Sequence, residues 1–323
     1  MKISTLLAIM IIGFTIASHN HEDEHKPFIT REYLERLNSK VSFDVLDYET
    51  HPFKDWSISD FKKRLGLLRR ESTTKKEIFY GNNGDLPESF DNREKWPECI
   101  HPIRDQQHCG SCWAFAASEV LSDRFCIASN KSINLVLSPQ DLVSCDKNDF
   151  GCDGGYVDKS WDYLRDVGIV TDECLPYISG DGNTRTCPFK RGSGKCKKGA
   201  FKKYRVTSHQ QHETIADAKE SLFTEGPIEA AFDVYDDFMS YSGGIYRRNS
   251  DNLLGGHAIK VVGWGVDSND GTEYWIIANS WSNGWGENGF FRIAFGECNI
   301  EAELWSGKPD IHASDFEALS FLQ

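Results

Sequence analysis

The sequence predicts an α+β fold: a helical half, then a mainly β half, with a cleft between them and a short separate leader in front. Three observations point there. Helix-period apolar spacing with capping residues dominates from about residue 86 to 205. Glycine-punctuated, strand-like runs dominate from about 206 to 310, the pattern of an antiparallel, barrel-like sheet. All ten cysteines lie between Cys99 and Cys298, so residues 1–98 form a piece of different character. The stretch from residue 86 onward is long enough for one large or two small cores.

Taken in order, Lys2 precedes an apolar run from Leu6 to Ile16 and the small residues Ala17 and Ser18, the arrangement of a secretory signal peptide over 1–18. The run is shorter than the ~20 residues a membrane span needs, and no later segment approaches that length. A soluble chain that has passed through an oxidising lumen is expected, without a membrane partner. The leader, 19–85, carries two amphipathic stretches, "ITREYLERLNSK" and "SISDFKKRLGLL". Ser57 or Ser59 caps the second, where Phe61, Leu65 and Leu68 recur at helical spacing. "RRESTTKKE" and "GNNGD" follow as a polar, exposed turn where cleavage would release a chain beginning near Leu86.

In the helical half, Cys112 to about Ala128 reads as a helix with Phe115, Val120 and Leu121 on its buried face. "LSPQDLVSC" supplies Ser138 as N-cap, Pro139 at the first helical position and Asp141 in the capping-box place. "GYVDKSWDYLRDVG" is a third helix, closed by Gly168. Thr214 to Glu225 is a fourth, stopped by Gly226 and Pro227. Four strands follow: "IEAAFDVY", "HAIKVVGWG", "EYWIIANSW" and "GFFRIAF". Residues 311–323 are left as a C-terminal extension. There is no internal repeat or low-complexity tract.

The formal net charge is −13, and the leader from 19 to 85 is close to neutral, so the acidity belongs to the rest. Such a surface argues against nucleic acid or an anionic membrane as partner. One sequon, Asn130-Lys131-Ser132, lies just past the central helix and is a candidate glycosylation site.

"QQHCGSCWAF", residues 106–115, raises the chemical question, because Cys112 can be read four ways. A redox pair with Cys109 needs a hydrophobic strand leading into the motif, and "IHPIRDQQ" is polar and irregular. A zinc site fails on the spacing of the second pair, "CDKNDFGC", and on the oxidising compartment. A plain disulfide half is the default for a secreted cysteine. Against it stands position: at the first turn of a helix, free N–H groups and the macrodipole favour a thiolate. The fourth reading is a nucleophile. That requires a base, an orienter and an oxyanion donor. His257, after "LLGG" and opening an apolar strand at the edge of a sheet, suits the base better than His209 or His212. Asn279, ending "EYWIIA" beside Ser280 and Trp281, can fix an imidazole tautomer under an indole. Gln106, on the loop into the helix, can aim its amide at a carbonyl oxygen.

Together "QQHCGSCWAF", "GCDGGY", "GGHAIKVVGWG" and "ANSWSNGWGENGFFRI" resemble the papain superfamily of cysteine peptidases, and within it the cathepsin B group, from roughly Leu86 to Gly307. The resemblance implies a papain-like two-domain fold and a peptidase that uses no cofactor and no metal. It makes Cys112 the nucleophile and His257 its ion-pair partner, with the thiol pKa lowered from ~8.5 into the ~3.5–7.5 range. Asn279 becomes the orienter, and Gln106 with the Cys112 backbone N–H the oxyanion hole. Gly154, Gly155, Trp281 and Glu303 line the substrate site, Glu303 at the base of a pocket that accepts Arg as well as apolar groups.

By the same resemblance the leader is a propeptide that lies through the cleft and blocks it. The partners implied are peptide and protein substrates and that propeptide, on a monomer. Analogy also pairs Cys99 with Cys126, Cys109 with Cys152, Cys145 with Cys187 and Cys174 with Cys196, leaving Cys112 and Cys298 free. Cathepsin B occludes one end of its cleft with a histidine-bearing insertion. Here "LPYISGDGNTRTCPFKRGSGK", between Cys174 and Cys196, is shorter and has no histidine. An endopeptidase with little or no dipeptide-removing activity is therefore expected, destined for a lysosome-like, phagosomal or extracellular acidic space.

Overall fold

The computed structural model describes residues 25–69, 80–81, 84–190 and 193–312. The signal-peptide stretch, most of the basic segment after Arg69, Asn82 and Asn83 of the turn, and the extension past His312 lie outside those residues.

The leader begins with helix α1 (Arg31–Asn38), started where the Thr30 hydroxyl accepts from Tyr33 N–H, and buries Leu34 and Leu37. A two-residue strand, β1 (Asp44–Val45), follows. Helix α2 (Ile58–Lys62) is capped by Ser57, whose hydroxyl accepts from Asp60 N–H, which decides between the two serines. α2 stops early. The sequence pattern carries helical spacing through Leu68, yet the chain leaves the helix after Lys63. From there its backbone bonds outward: Leu67 N–H donates to Gly256 O at 3.2 Å and Leu68 N–H to Gly155 O at 2.8 Å. Bonding to the Leu253–Val266 strand at Gly256 and to the loop at Gly155 ahead of the Val157–Asp166 helix replaces the helical bonds that Gly66 would in any case weaken.

In the helical half, the short β2 (Phe90–Asp91) and α3 (Asn92–Lys95) lead to α4 (Cys112–Ala128), α5 (Pro139–Cys145) and α6 (Val157–Asp166). Ser138 caps α5 through Asp141 N–H with Pro139 in the first turn. Gly168, two residues beyond α6, takes φ +78°. α4 departs from the amphipathic expectation, since every residue from Cys112 to Cys126 is buried. Its polar side chains are therefore paired. Lys260 reaches across from the β half to Asp123 at 2.7 Å, and Arg124 donates to the Pro227 carbonyl at 2.6 Å. Four disulfides staple this half: Cys99–Cys126, Cys109–Cys152, Cys145–Cys187 and Cys174–Cys196.

The second half contains β3 (Val206–Gln211), α7 (Ile215–Glu225), β4 (Ile228–Tyr235), β5 (Tyr241–Gly243), β6 (Ile245–Tyr246), β7 (Leu253–Val266), β8 (Glu273–Ala278), β9 (Phe290–Ala294) and β10 (Glu303–Pro309). One sheet runs β3–β10–β4–β7–β8–β9–β6, with β2 also on β7, while β5 pairs with β1 of the leader. All pairs are antiparallel except β6 with β9. The polar β3 and β10 gave no strand signal, because neither carries apolar alternation; they are strands because they pair with each other and β10 with β4.

Two hydrophobic cores result. One, in the β half, joins Phe232, Phe238, Trp281, Trp285 and Phe291 and takes in Phe43, Phe53 and Phe61 of the leader. The other surrounds α4 with Trp113, Phe125, Leu142 and Trp161, and takes in Leu67 of the leader together with Ala231 and Ala258. The leader thus belongs to both cores at once.

Candidate active site

Cys112 opens α4 and is a free thiol, fully buried. Its sulfur lies against the backbone N–H groups of Ala258, Gly66 and Trp113. Ala258 follows His257 in β7, so the helix start and the strand meet at this point. His257 is not at the start of its strand, as its sequence neighbours suggest, but well inside the 14-residue β7. It pairs there with Phe232 of β4, while the β8 pairing begins only at Lys260. On the open side Gly256 instead pairs with Leu67 of the leader.

The His257 Nε2–H donates to Asn279 Oδ1 at 2.8 Å. An amide oxygen only accepts, so the proton sits on Nε2 and Nδ1 is the basic nitrogen. That Nδ1 is buried and has no hydrogen-bond partner. Asn279 lies immediately past β8, its oxygen also held by Ser280 N–H at 2.8 Å. The Trp281 ring covers the pair, 4.7 Å from the imidazole.

Gln106 arrives from the opposite side. Its Nε2 donates to the carbonyl of Arg64 at 2.8 Å and to that of Cys109 at 2.9 Å, and its Oε1 accepts from the Ser280 hydroxyl at 2.7 Å. Ser280 therefore orients Gln106 and helps hold Asn279, a double role that its place in an ordinary Asn-Ser turn does not announce.

The leader passes directly over this group. Gly66 sits on Gly110, where a Cβ on Gly66 would fall 1.8 Å from the Gly110 carbonyl oxygen, so only glycine fits. Gly155 donates to Gly66 O at 2.9 Å, and a Cβ on Gly155 would strike the Trp113 indole at 2.5 Å. Gly154 has φ +117° and faces Leu68. Beyond it, Arg69 donates to Asp233 at 2.8 Å and lies 3.3 Å from Glu303. Asp233, which nothing in the apolar run "IEAAFDVY" marks out, thus joins Glu303 in facing a cation.

Enclosure dictates the electrostatics. Burial pushes the Cys112 thiol up to about 11. Burial also pulls His257 down to about 3, against the opposing pull of its Asn279 bond. The expected lowering of the thiol pKa is not found with the leader in place, because desolvation penalises both ions and no water reaches either. Desolvation favours the neutral form of both groups while the leader covers them.

Asn130 is exposed at the end of α4 with φ +50°. Among the described residues no group of three or more His, Cys, Asp and Glu could hold a metal ion, and no helix is long and apolar enough to cross a membrane.

Residues 86–307 match the family described as papain family cysteine protease. The chain is 38% identical over 317 residues to cathepsin B-like cysteine proteinase 4 of Caenorhabditis elegans, covering 86% of this chain and 91% of that one. It is 40% identical to cathepsin B-like CP2 of Giardia intestinalis, over 77% of this chain and 81% of that one. Among solved structures, procathepsin B S9 from Trypanosoma congolense superposes with a TM-score of 0.75 at 32% identity, over 88% of this chain and all of the other.

Proposed function

The chain belongs to the papain family of cysteine proteases, and on that premise we propose that it is the zymogen of a cathepsin B-like endopeptidase. Cys112 is its nucleophile, His257 its base and acid, Asn279 the orienter, and Gln106 with the Cys112 N–H the oxyanion hole. The observation that carries this is the arrangement at His257: Nε2 tied to Asn279, Nδ1 unpartnered, and a free thiol against the next residue of the strand.

Once the leader is gone and water enters, the thiol proton passes to Nδ1 and the ions stabilise one another. The thiolate adds to the scissile carbonyl carbon, and its oxygen takes the place on Gln106 Nε2 now filled by the Arg64 carbonyl. The C–N bond breaks as His257 protonates the leaving amine. Water, deprotonated by the same imidazole, then hydrolyses the thioester.

Residues 19–85 act as the inhibitory propeptide, removed by cleavage near Asp85–Leu86, with 1–18 as signal peptide and 86–310 as the peptidase. Gly154, Gly155 and Trp281 bound the substrate channel. Glu303 and Asp233, which face Arg69 of the leader, favour a basic residue at this pocket, with apolar groups accepted as in the resembling family. The histidine-free segment between Cys174 and Cys196 supports endopeptidase over dipeptide-removing action. The four disulfides suit a secretory route to an acidic organelle or the cell exterior, and exposed Asn130 suits a glycan.

The test is acid activation followed by assay of a Phe-Arg coumarin amide and labelling with an epoxysuccinyl inhibitor. Wild type is expected to be active and labelled, and Cys112→Ser neither, while keeping the wild-type circular dichroism. Turnover retained by Cys112→Ser refutes the assignment.

A further inference from the structure

We propose that Asp105 and the face of the Trp281 indole form a subsite for a cationic substrate side chain, arginine above all, on the leaving-group side of the cleft. The inference rests on the peptidase reading above and adds to it a determinant of specificity.

The leader supplies the reporter. Arg64 is 2% exposed, and its Nη2 donates to Asp105 Oδ1 at 2.6 Å. Its guanidinium carbon lies 5.7 Å from the Trp281 ring centroid, 5.1 Å from Phe53 and 5.2 Å from Trp56. Phe53 and Trp56 leave with the leader. Asp105 and Trp281 stay.

The two that stay are already positioned without the leader. Asp105 Oδ1 accepts from Gln107 N–H at 2.8 Å. The backbones of 104–106 and 280–282 form a bridge in which Gln106 N–H donates to Ser280 O and Ser282 N–H to Arg104 O, both at 3.0 Å. Carboxylate and indole therefore keep their spacing when the leader departs. Among the described residues Arg64 is the one cation paired with Asp105, and the adjacent Arg104 is committed to Asp172 at 2.8 Å.

The side of the cleft follows from the chemistry. Arg64 has its carbonyl on Gln106, where the reacting oxygen sits. From that point Leu67 and Leu68 run to Gly256 and Gly155, whereas the Arg64 side chain turns to Trp281, whose ring abuts His257. His257 must hand its proton to the departing amine, so the leaving peptide crosses Trp281. An arginine one or two residues past the scissile bond then reaches Asp105. A flat guanidinium can stack on the indole while donating to the carboxylate, which an ammonium does less well.

The experiment uses activated wild-type enzyme and internally quenched peptides that differ only in carrying Arg, Lys, Ala or Glu at the first or second position after the cleaved bond. At one of these positions kcat/KM for Arg should exceed that for Ala by about tenfold, the ratio shrinking as salt rises. In Asp105→Asn the ratio should fall to within about twofold of unity, and in Asp105→Glu it should persist. A ratio is independent of how much variant folds, and the wild-type comparison decides even if none does. Equal cleavage of Arg and Ala peptides by wild type at both positions, or an unchanged ratio in Asp105→Asn, overturns the subsite. The Phe-Arg coumarin amide, with no amino acid past its bond, is run alongside. Its turnover without an Arg preference sinks only the subsite, whereas no turnover sinks the peptidase reading and the subsite with it.

Discussion

Gln106 is held by Ser280 through its amide oxygen, so its Nε2 stays aimed at whatever carbonyl lies over Cys112. Gln106→Ala should lower kcat by about 10²–10³ with a much smaller change in KM, since the bond strengthens only as charge grows on the oxygen; steady-state kinetics on a coumarin amide checks this, and a pure KM effect would contradict it. Desolvation of the thiol has a consequence at the same scale. With burial pushing the thiol up to about 11, little thiolate is expected at pH 7 while the leader covers it. Iodoacetamide should therefore modify Cys112 at least ~100-fold more slowly before leader removal than after it, and equal rates would show that the leader does not control the thiol.

Among the elements, those with strong local punctuation follow their sequence signals. Ser138 with Pro139, and Thr214 accepting from Asp217 N–H, start their helices as capping chemistry requires. α4 has no side-chain cap and is held by its surroundings instead. Lys260, 1% exposed, offsets Asp123 and Glu119 on that helix at 2.7 and 3.7 Å. Lys260→Met leaves Glu119 without its lysine and Asp123 with only His101 beside it, and should cost about 3–5 kcal/mol, read as a lower denaturation midpoint of the Cys112→Ser chain. A midpoint unchanged by the substitution would mean that the pair contributes nothing.

At the scale of the molecule the leader is a third layer shared by two cores, so the release proposed above would uncover part of both. His51 sits in that layer, 2% exposed, with Phe53 N–H donating to its Nδ1 at 3.1 Å and its Nε2 against the Ser240 hydroxyl at 3.2 Å. Burial lowers its pKa from 6.5 to about 4. A histidine kept neutral on docking favours the docked state fully above 6.5, and that advantage is lost as pH falls from 6.5 towards 4, by roughly 3 kcal/mol at the lower end. His51→Gln still presents a polar amide to the Ser240 hydroxyl but cannot take up the proton, so its self-processing should begin at lower pH than in wild type. Identical processing profiles would remove His51 from the trigger.

The sequence by itself determined the helix starts, the glycine-bounded apolar strands, the cysteine-free leader and the residue types of a thiol site, because capping, periodicity and turn chemistry act within a few residues. It did not show β3 and β10 as strands, the early end of α2, the paired carboxylates at Asp233 and Glu303, or the desolvation of Cys112 and His257. Those depend on partners scores of residues away: a strand defined by its neighbours, a leader backbone that pairs with Gly155 and Gly256, and a covered cleft that excludes water. Desolvation and long-range pairing are properties of the packed chain, and they appear only when it is closed.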